Sequence, residues 1–302
     1  MNQDFLKKLT DIMGEGNVLL DEPMSKHITF RVGGNALYYV EISREEELSA
    51  IIKLVREQGD IPYYIMGNGS NMLVPDEGYA GLIIQMGGKF ADVNIHDCRV
   101  VVKAGAMLSK VAKQAYDECL SGMERLSGIP GTIGGAVTMN AGAYGAEIKD
   151  IIVNAKVLDR ETGDILILDK DELNLGYRHS VIMEKNYIVL EAIFQLDHGK
   201  REDIKAEMDR CTAMRKEKQP LEYPSAGSTF KRPEGYFAGK LIQDAGLSGY
   251  TSGGAAVSDK HCGFVINKGG ATATDVLNVI KHVQDEVKKQ FGVELEPEVR
   301  II

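Results

Sequence analysis

No run of about 18 apolar residues occurs in this chain of 302 residues, so nothing in it reads as a membrane-crossing helix. The first residues, Met1-Asn2-Gln3-Asp4-Phe5, lack a basic segment leading into an apolar one, and a cytoplasmic protein is expected. Four cysteines, Cys98, Cys119, Cys211 and Cys262, lie far apart without a C-x-x-C pair. That argues against a zinc or redox-disulfide site, and they read as reduced thiols. Six histidines show no H-x-x-x-H spacing, so no metal is expected. A formal net charge of −9 disfavours general nucleic-acid binding, which needs a basic face, but leaves room for a local basic pocket that takes an anionic small molecule. Two phosphate-binding fingerprints are also missing. Met72 stands where G-x-G-x-x-G starting at Gly67 needs its last glycine, and no G-x-x-x-x-G-K-[ST] is found, so neither a Rossmann nor a P-loop mode is supported. There is no internal repeat or low-complexity tract.

Glycine is what the chain has, in two places. Between Ser127 and Gly145, six glycines interrupt an apolar, almost uncharged run that also holds Pro130 and Asn140. Without a Cβ, such a segment lets main-chain N–H groups approach a diphosphate; a buried turn where two elements cross is the alternative. Upstream, Tyr63-Tyr64-Ile65-Met66 reads as a short strand running into Gly67-Asn68-Gly69-Ser70-Asn71, which alone could be an ordinary β-turn. Two such loops about sixty residues apart suggest a long ligand lying across one domain.

Apolar periodicity organises the rest. Phe5, Leu6, Leu9, Ile12 and Met13 predict a first amphipathic helix. Ser43-Arg44-Glu45-Glu46 fits a capping box ahead of a helix carrying Leu48, Ile51, Ile52 and Val55. Short β-rich runs follow at 82–84, 100–102, 151–153, 165–168 and 188–190, with a hairpin turn at 159–164. The charged stretch 198–219 predicts a helix that Pro220 ends and that enters another domain. Phe237, Leu241, Ile242 and Ala245 predict a helix, 263–266 a strand, Val276 to Val287 a long final helix, and 293–302 a last β-like stretch.

The loops 67–71 and 127–131, with Asn140-Ala141-Gly142, resemble the FAD-binding domain of vanillyl-alcohol-oxidase-type flavoproteins. Four further motifs follow in order: Gly176-Tyr177-Arg178-His179-Ser180, Ala226-Gly227-Ser228-Thr229-Phe230-Lys231-Arg232-Pro233, Gly253-Gly254-Ala255-Ala256-Val257, and Glu296-Pro297-Glu298-Val299-Arg300. They resemble the UDP-N-acetylenolpyruvoylglucosamine reductase family from about Thr29 to the C-terminus. The short segment between Arg178 and Ser228 is similar to the shorter, type II subgroup, which lacks a substrate-covering tyrosine loop.

The resemblance implies an α+β protein with an FAD-binding domain of two α/β lobes, residues 1–75 joined by strand 292–302 and residues 76–200, plus an α+β substrate domain at 201–291. It implies FAD and NADPH as cofactors and a small sugar-nucleotide substrate; a monomer is expected. FAD contacts are expected from Ile65, Gly67, Asn68, Gly69, Ser70 and Asn71, and from Gly128, Ile129, Pro130, Gly131, Gly134, Gly135, Ala136, Asn140 and Gly142. In the implied reaction hydride adds to the enolpyruvyl terminal carbon and charge develops on the neighbouring carbon and its carboxylate. By resemblance Arg178 holds that carboxylate, Ser228 supplies the proton, and Glu298 assists Arg178. A carboxylate there repels the substrate unless protonated, so a neutral Glu298 is the useful form. Tyr177 is a pocket residue, and Lys231, Arg232, Lys240 and Arg215 are candidates for the UDP diphosphate. Arg232 departs from the asparagine frequent in the longer subgroup. Without the motifs, Arg178 reads as a surface ion pair, Ser228 as a turn residue and Glu298 as a solvated edge carboxylate. Two other readings stay open: a different FAD oxidase of the same fold, passing electrons to oxygen, and a non-catalytic nucleotide-binding module, for which an Arg178, Ser228 and Glu298 set has no use.

Overall fold

Asn2 caps the first helix, its side chain accepting from Phe5 N–H at 3.1 Å, and the helix Gln3–Met13 runs until Gly14 turns the chain at φ +82°. Phe5, Leu9 and Met13 are its buried face, narrower than the periodicity predicts, and Phe5 meets Tyr38 edge-on at 5.2 Å. The computed structural model describes residues 2–59 and 61–302. Two compact units divide it: residues 1–20, 38–68 and 81–214 form unit 1, and residues 21–37, 69–80 and 215–302 form unit 2.

In unit 1 the helix Glu45–Gln58 buries Leu48, Ile51, Ile52, Leu54 and Val55. Its cap falls one residue later than expected. Because Arg44 is the N-cap, Glu47 rather than Glu46 reaches back, and it accepts from the N–H of Ser43 at 2.7 Å and of Arg44 at 3.2 Å. Strand Tyr63–Met66 pairs in parallel with Tyr79–Gln85, Tyr63 opposite Leu82. An antiparallel sheet of five strands follows in the order Ile165–Asp169, Ile152–Asp159, Tyr187–Gln195, Arg99–Lys103, Val93–His96. The 159–164 turn joins its first two strands as expected, Asp159 N–H donating to Asp164 O at 2.9 Å. Strand Ile165–Asp169 lies at the sheet edge with Ile165 and Ile167 exposed rather than in a core.

One charge cluster fastens the Glu45 helix to this sheet. Lys103 and Glu191 face each other across two strands, 2.8 Å apart, and the Glu45 carboxylate takes Lys103 and Lys156 at 2.6 Å each. Burial acts to raise the Glu45 carboxyl, but the two ammonium groups outweigh it and hold the carboxyl below its ordinary value. A lowered folded value means that this stabilisation is complete above the unfolded carboxyl's value near 4.5 and is lost as pH falls through the folded one. Glu45→Gln is expected to cost roughly 1.5–3 kcal/mol at neutral pH, the range for hydrogen bonds to charged groups. Denaturant titrations should show the difference from wild type shrinking below pH 4.5; a gap that does not change down to acid pH contradicts the assignment.

Unit 2 carries a three-stranded antiparallel sheet, Thr251–Ser252, Ala255–Val257, Val265–Asn267, and the helices Ala238–Asp244 and Ala273–Phe291. Phe237, expected within the shorter helix, is its exposed N-cap. Thr272 and Asp275 cap the long helix reciprocally at 3.0 Å, and Asp76 accepts from the N–H of Ala273 and Thr274 at 2.7 and 2.8 Å. Its first-turn donors are thus satisfied by protein. Of the predicted β-like tail, only Arg300–Ile301 forms a strand, parallel to Met72–Leu73, and Pro297 bridges to Phe230.

Candidate functional site

Within unit 1 the start of the first glycine-rich loop, Gly67 and Asn68, meets the second. Asn68, at the end of the strand carrying Ile65, donates its side-chain N–H to Pro130 O at 2.7 Å. Gly67 packs so closely on Thr132 that a Cβ would lie 2.2 Å from its Oγ1, so glycine here serves loop-on-loop packing. Gly134 is required for the same reason, since a Cβ would stand 2.9 Å from the Ala104 Cβ. Thr132 caps the short helix Ile133–Thr138, but the N–H groups of Ile133 and Gly134 already donate to Ala106 and Ala104 carbonyls at 2.8 Å. Ile129 likewise donates to Leu126 O at 3.0 Å. Among the described residues no protein acceptor takes the main-chain N–H of Gly128 or Gly131, so the donors on offer lie before the helix. Gly135 is spacious: its Cβ would meet only Thr132 Oγ1, at 3.7 Å. Ala136 is buried.

Asn140, expected among the flavin contacts, is fully buried with its carboxamide employed inside the protein. It donates to Glu147 Oε2 at 3.1 Å and Gly176 O at 2.9 Å, and accepts from Lys149 N–H at 2.9 Å. Gly142, opposite Glu147 in a tight hairpin, leaves no space for a Cβ beside Ala146 O at 2.8 Å. Asn140 thereby ties the Arg178 turn to the loop-following helix, and Ser180 adds a second tie by donating to Thr138 O at 2.6 Å. Gly176 and His179 exchange main-chain hydrogen bonds at 3.1 and 3.3 Å, placing Tyr177 and Arg178 at the tip of a four-residue turn. Arg178 takes φ +53° there, a conformation that a residue with a Cβ adopts at a cost of roughly 1–2 kcal/mol. Its guanidinium lies 5.0 Å from the half-exposed Tyr177 ring centre.

Unit 2 assembles Gly69-Ser70-Asn71, Ser228 and Glu298. Thr29 accounts for part of this: its N–H donates to Gly69 O at 3.1 Å and its hydroxyl to Ser225 O at 2.6 Å. Gly69, at φ +60°, passes so near His27 that a Cβ would sit 2.2 Å from the His27 carbonyl. The N–H groups of Gly69, Ser70 and Asn71 have no protein acceptor among the described residues. Three successive donors of this kind match the oxygen-rich diphosphate of a dinucleotide. Asn71 holds the other flank, donating from its side chain to Glu298 O at 3.2 Å and accepting from Arg300 N–H at 3.0 Å.

Thr229 fixes Ser228. Fully buried, Thr229 donates its N–H to Gly263 O at 2.8 Å, accepts at its hydroxyl from Val265 N–H at 2.9 Å, and accepts at its carbonyl from Glu298 N–H at 2.8 Å. Gly227 at φ +76° turns the chain just before, leaving Ser228 exposed beside the Glu298 segment. No role is assigned to Thr29, Thr132 or Thr229 from the sequence; Thr229 stands within a quoted motif, but its partners lie more than thirty residues away.

The four cation candidates differ in their partners. Lys231 pairs with Glu296 at 2.5 Å, Lys240 pairs with Asp244 one turn along its helix, and the Arg232 guanidinium lies 4.0 Å from the Phe237 ring centre. Arg215 belongs to the helix Arg201–Lys218. No helix among the described residues is long and apolar enough to cross a membrane.

Comparison with known proteins agrees with both halves of this arrangement. The sequence family described as "FAD binding domain" matches residues 36–169, and that described as "UDP-N-acetylenolpyruvoylglucosamine reductase, C-terminal domain" matches residues 219–302. Curated relatives named UDP-N-acetylenolpyruvoylglucosamine reductase include one from Agathobacter rectalis at 52% identity and one from Clostridium perfringens at 54%. Each alignment covers 100% of this chain and 99% of the relative. The crystal structure of UDP-N-acetylenolpyruvylglucosamine reductase from Thermus caldophilus superposes with a TM-score of 0.79 at 34% identity, covering 94% of this chain and 97% of that one. A glucose dehydrogenase, Phl p 4.0202, aligns at 14% identity and TM-score 0.52 over 66% of this chain and 45% of its own, a likeness of fold alone. The architecture is therefore α+β, a vanillyl-alcohol-oxidase-type FAD-binding domain followed by a distinct C-terminal domain. With relatives above 50% identity along its entire length, the chain belongs to the UDP-N-acetylenolpyruvoylglucosamine reductase family.

Proposed function

We infer that this protein is an FAD-dependent, NADPH-consuming reductase. It converts the enolpyruvyl group of UDP-N-acetylglucosamine enolpyruvate to the lactyl ether, giving UDP-N-acetylmuramate for peptidoglycan synthesis. The observation that carries this is identity of 52–54% to reductases of that name over the whole chain. FAD, once bound, relays hydride from NADPH to the terminal carbon of the enolpyruvyl group. In unit 1 the main-chain donors at Gly128 and Gly131, and in unit 2 those at Gly69, Ser70 and Asn71, are each of the kind that binds a dinucleotide, while Asn68, Gly67 and Asn140 keep the unit 1 loops in place.

The residue roles rest on chemistry. Arg178, held at an exposed turn tip, grips the substrate carboxylate and offsets the charge that develops beside it. Ser228 protonates the neighbouring carbon, and Glu298, whose backbone is locked to Thr229, acts as an acid at the carboxylate end. Lys231, Arg232, Lys240 and Arg215 supply positive charge for the UDP diphosphate, with Tyr177 beside the sugar nucleotide. We assign the FAD-binding lobes to 1–75 with 292–302 and to 76–200, the substrate domain to 201–291, and the protein to the cytoplasm as a monomer.

Incubating purified protein with NADPH and the enolpyruvyl sugar nucleotide should consume the two in equal amounts and yield a product two hydrogens heavier by mass spectrometry. An unchanged sugar nucleotide with NADPH oxidised only in air contradicts the assignment. Gly135→Val tests the cofactor loops, because the protein itself has space there. FAD retention should fall at least about tenfold, a loss of roughly 1.4 kcal/mol or more, with circular dichroism unchanged. Full flavin content in this variant removes Gly135 from the cofactor site. Gly69→Val is a poorer probe, since its side chain strikes the His27 carbonyl whether or not a ligand is bound.

A further inference from the structure

At one end of the five-stranded sheet, the strands Val93–His96 and Arg99–Lys103 are joined by the two-residue turn Asp97-Cys98, with His96 opposite Arg99 and Asp97 at φ +52°. The neighbouring strand runs past this turn: Gln195 pairs with Arg99, and Leu196 N–H donates to Cys98 O at 2.9 Å. The chain continues into Asp197–His198, which pairs with Leu120–Ser121. Main-chain hydrogen bonds therefore hold His198 against the turn, its Nε2 3.1 Å from Asp97 Oδ1. A carboxylate oxygen of Asp97, the sulfur of Cys98 and a ring nitrogen of His198 all lie within 4.8 Å of one another. All three residues belong to unit 1.

We propose that Asp97, Cys98 and His198 form a binding site for a divalent cation of borderline softness, with zinc the best match. A thiolate, an imidazole and a carboxylate together select such an ion over magnesium or calcium, which take oxygen donors. Zinc bonds of about 2.0 Å to nitrogen and 2.1 Å to oxygen at a tetrahedral angle place those two atoms about 3.3 Å apart. The Asp97 and His198 atoms already stand within a few tenths of an ångström of that separation. Sulfur, with a bond of about 2.3 Å, belongs about 3.6 Å from each, a distance that side-chain rotation at an exposed turn can reach. Three protein ligands leave the fourth position to water. The side chains of Asp97 and His198 are 83% and 70% exposed, so the ion enters from solvent, and Asp197 adds a further negative charge beside it. Spacing rules miss the set, because 101 residues separate Asp97 from His198. A plain surface pair of histidine and carboxylate accounts for two of the residues and gives Cys98 no part; the two readings differ in what Cys98 does.

The test uses the FAD-loaded protein after chelator treatment. Zinc is titrated by calorimetry, and cobalt is titrated by its absorption at wavelengths beyond the flavin band. One ion per chain with a Kd of about 10 μM or tighter is expected. Cys98→Ser, which keeps the side-chain shape, and His198→Ala should each weaken binding at least about tenfold, or 1.4 kcal/mol, with circular dichroism unchanged. Zinc should also slow alkylation of Cys98. Equal affinity in wild type, Cys98→Ser and His198→Ala overturns the proposal, as does a wild-type protein that takes up neither ion at about 100 μM.

Discussion

Ser228→Ala should slow transfer to the enolpyruvyl substrate by about 10²- to 10⁴-fold, a barrier increase of roughly 3 to 5 kcal/mol, while reduction of the flavin by NADPH keeps its wild-type rate. The asymmetry follows from the proposed role. Protonation of the carbon beside the carboxylate belongs only to the half-reaction with the sugar nucleotide, so a missing proton donor is silent in the other half. The structure makes the substitution a clean one. Ser228 is exposed, and the segment is held by its neighbour Thr229, whose three hydrogen bonds involve no atom of Ser228. Loss of one hydroxyl there disturbs no packing. Stopped-flow absorbance at the flavin band separates the two halves, and Ser228→Cys should recover part of the rate because a thiol still donates a proton. Reoxidation of Ser228→Ala at the wild-type rate removes Ser228 from proton transfer.

The second large effect is expected at Glu298. Its N–H and carbonyl are taken by Thr229 and Asn71, bonds of the main chain that survive a change of side chain. Glu298→Ala should therefore lower kcat by about 10²-fold or more while leaving the backbone of this segment in place, in the usual range for a lost acid–base group. Glu298→Gln keeps a hydrogen-bond donor but cannot titrate. It should lose less rate than alanine, and its kcat/KM profile should lack one limb of the wild-type pH dependence. Wild-type turnover in both variants rules out a catalytic part for this carboxyl.

What the sequence makes legible here is local. Phe5, Leu9 and Met13 announce a helix face by spacing, Val276 to Val287 announce its counterpart near the C-terminus, and the 159–164 turn reads directly as a hairpin. The glycine-rich loops are equally visible, but the reason for each glycine is not. Gly67 answers to Thr132, Gly134 to Ala104 and Gly69 to the His27 carbonyl, all partners distant in sequence. These glycines have a packing reason of their own, and so does the Asn140 side chain, which Glu147, Lys149 and Gly176 engage inside the protein. The capping-box shift from Glu46 to Glu47 has a simpler cause, since one residue of difference in the helix start moves the reaching carboxylate with it. Ser228 and Glu298 are identifiable only through family motifs; their adjacency in unit 2 is the work of Thr229, a motif neighbour whose partners are distant in sequence. Cys98 and His198 sit at the far extreme, because a turn and a strand end meet there through sheet register alone.

The central claim is that electrons from NADPH reach the enolpyruvyl sugar nucleotide and not oxygen. An anaerobic titration tests it most directly: purified flavoprotein is bleached with one equivalent of NADPH, then mixed with the enolpyruvyl substrate in the absence of air. The account predicts full return of the flavin absorbance with one equivalent of UDP-N-acetylmuramate formed. Flavin that stays bleached until air is admitted, with the sugar nucleotide recovered intact, contradicts it and points to an oxidase on the same fold.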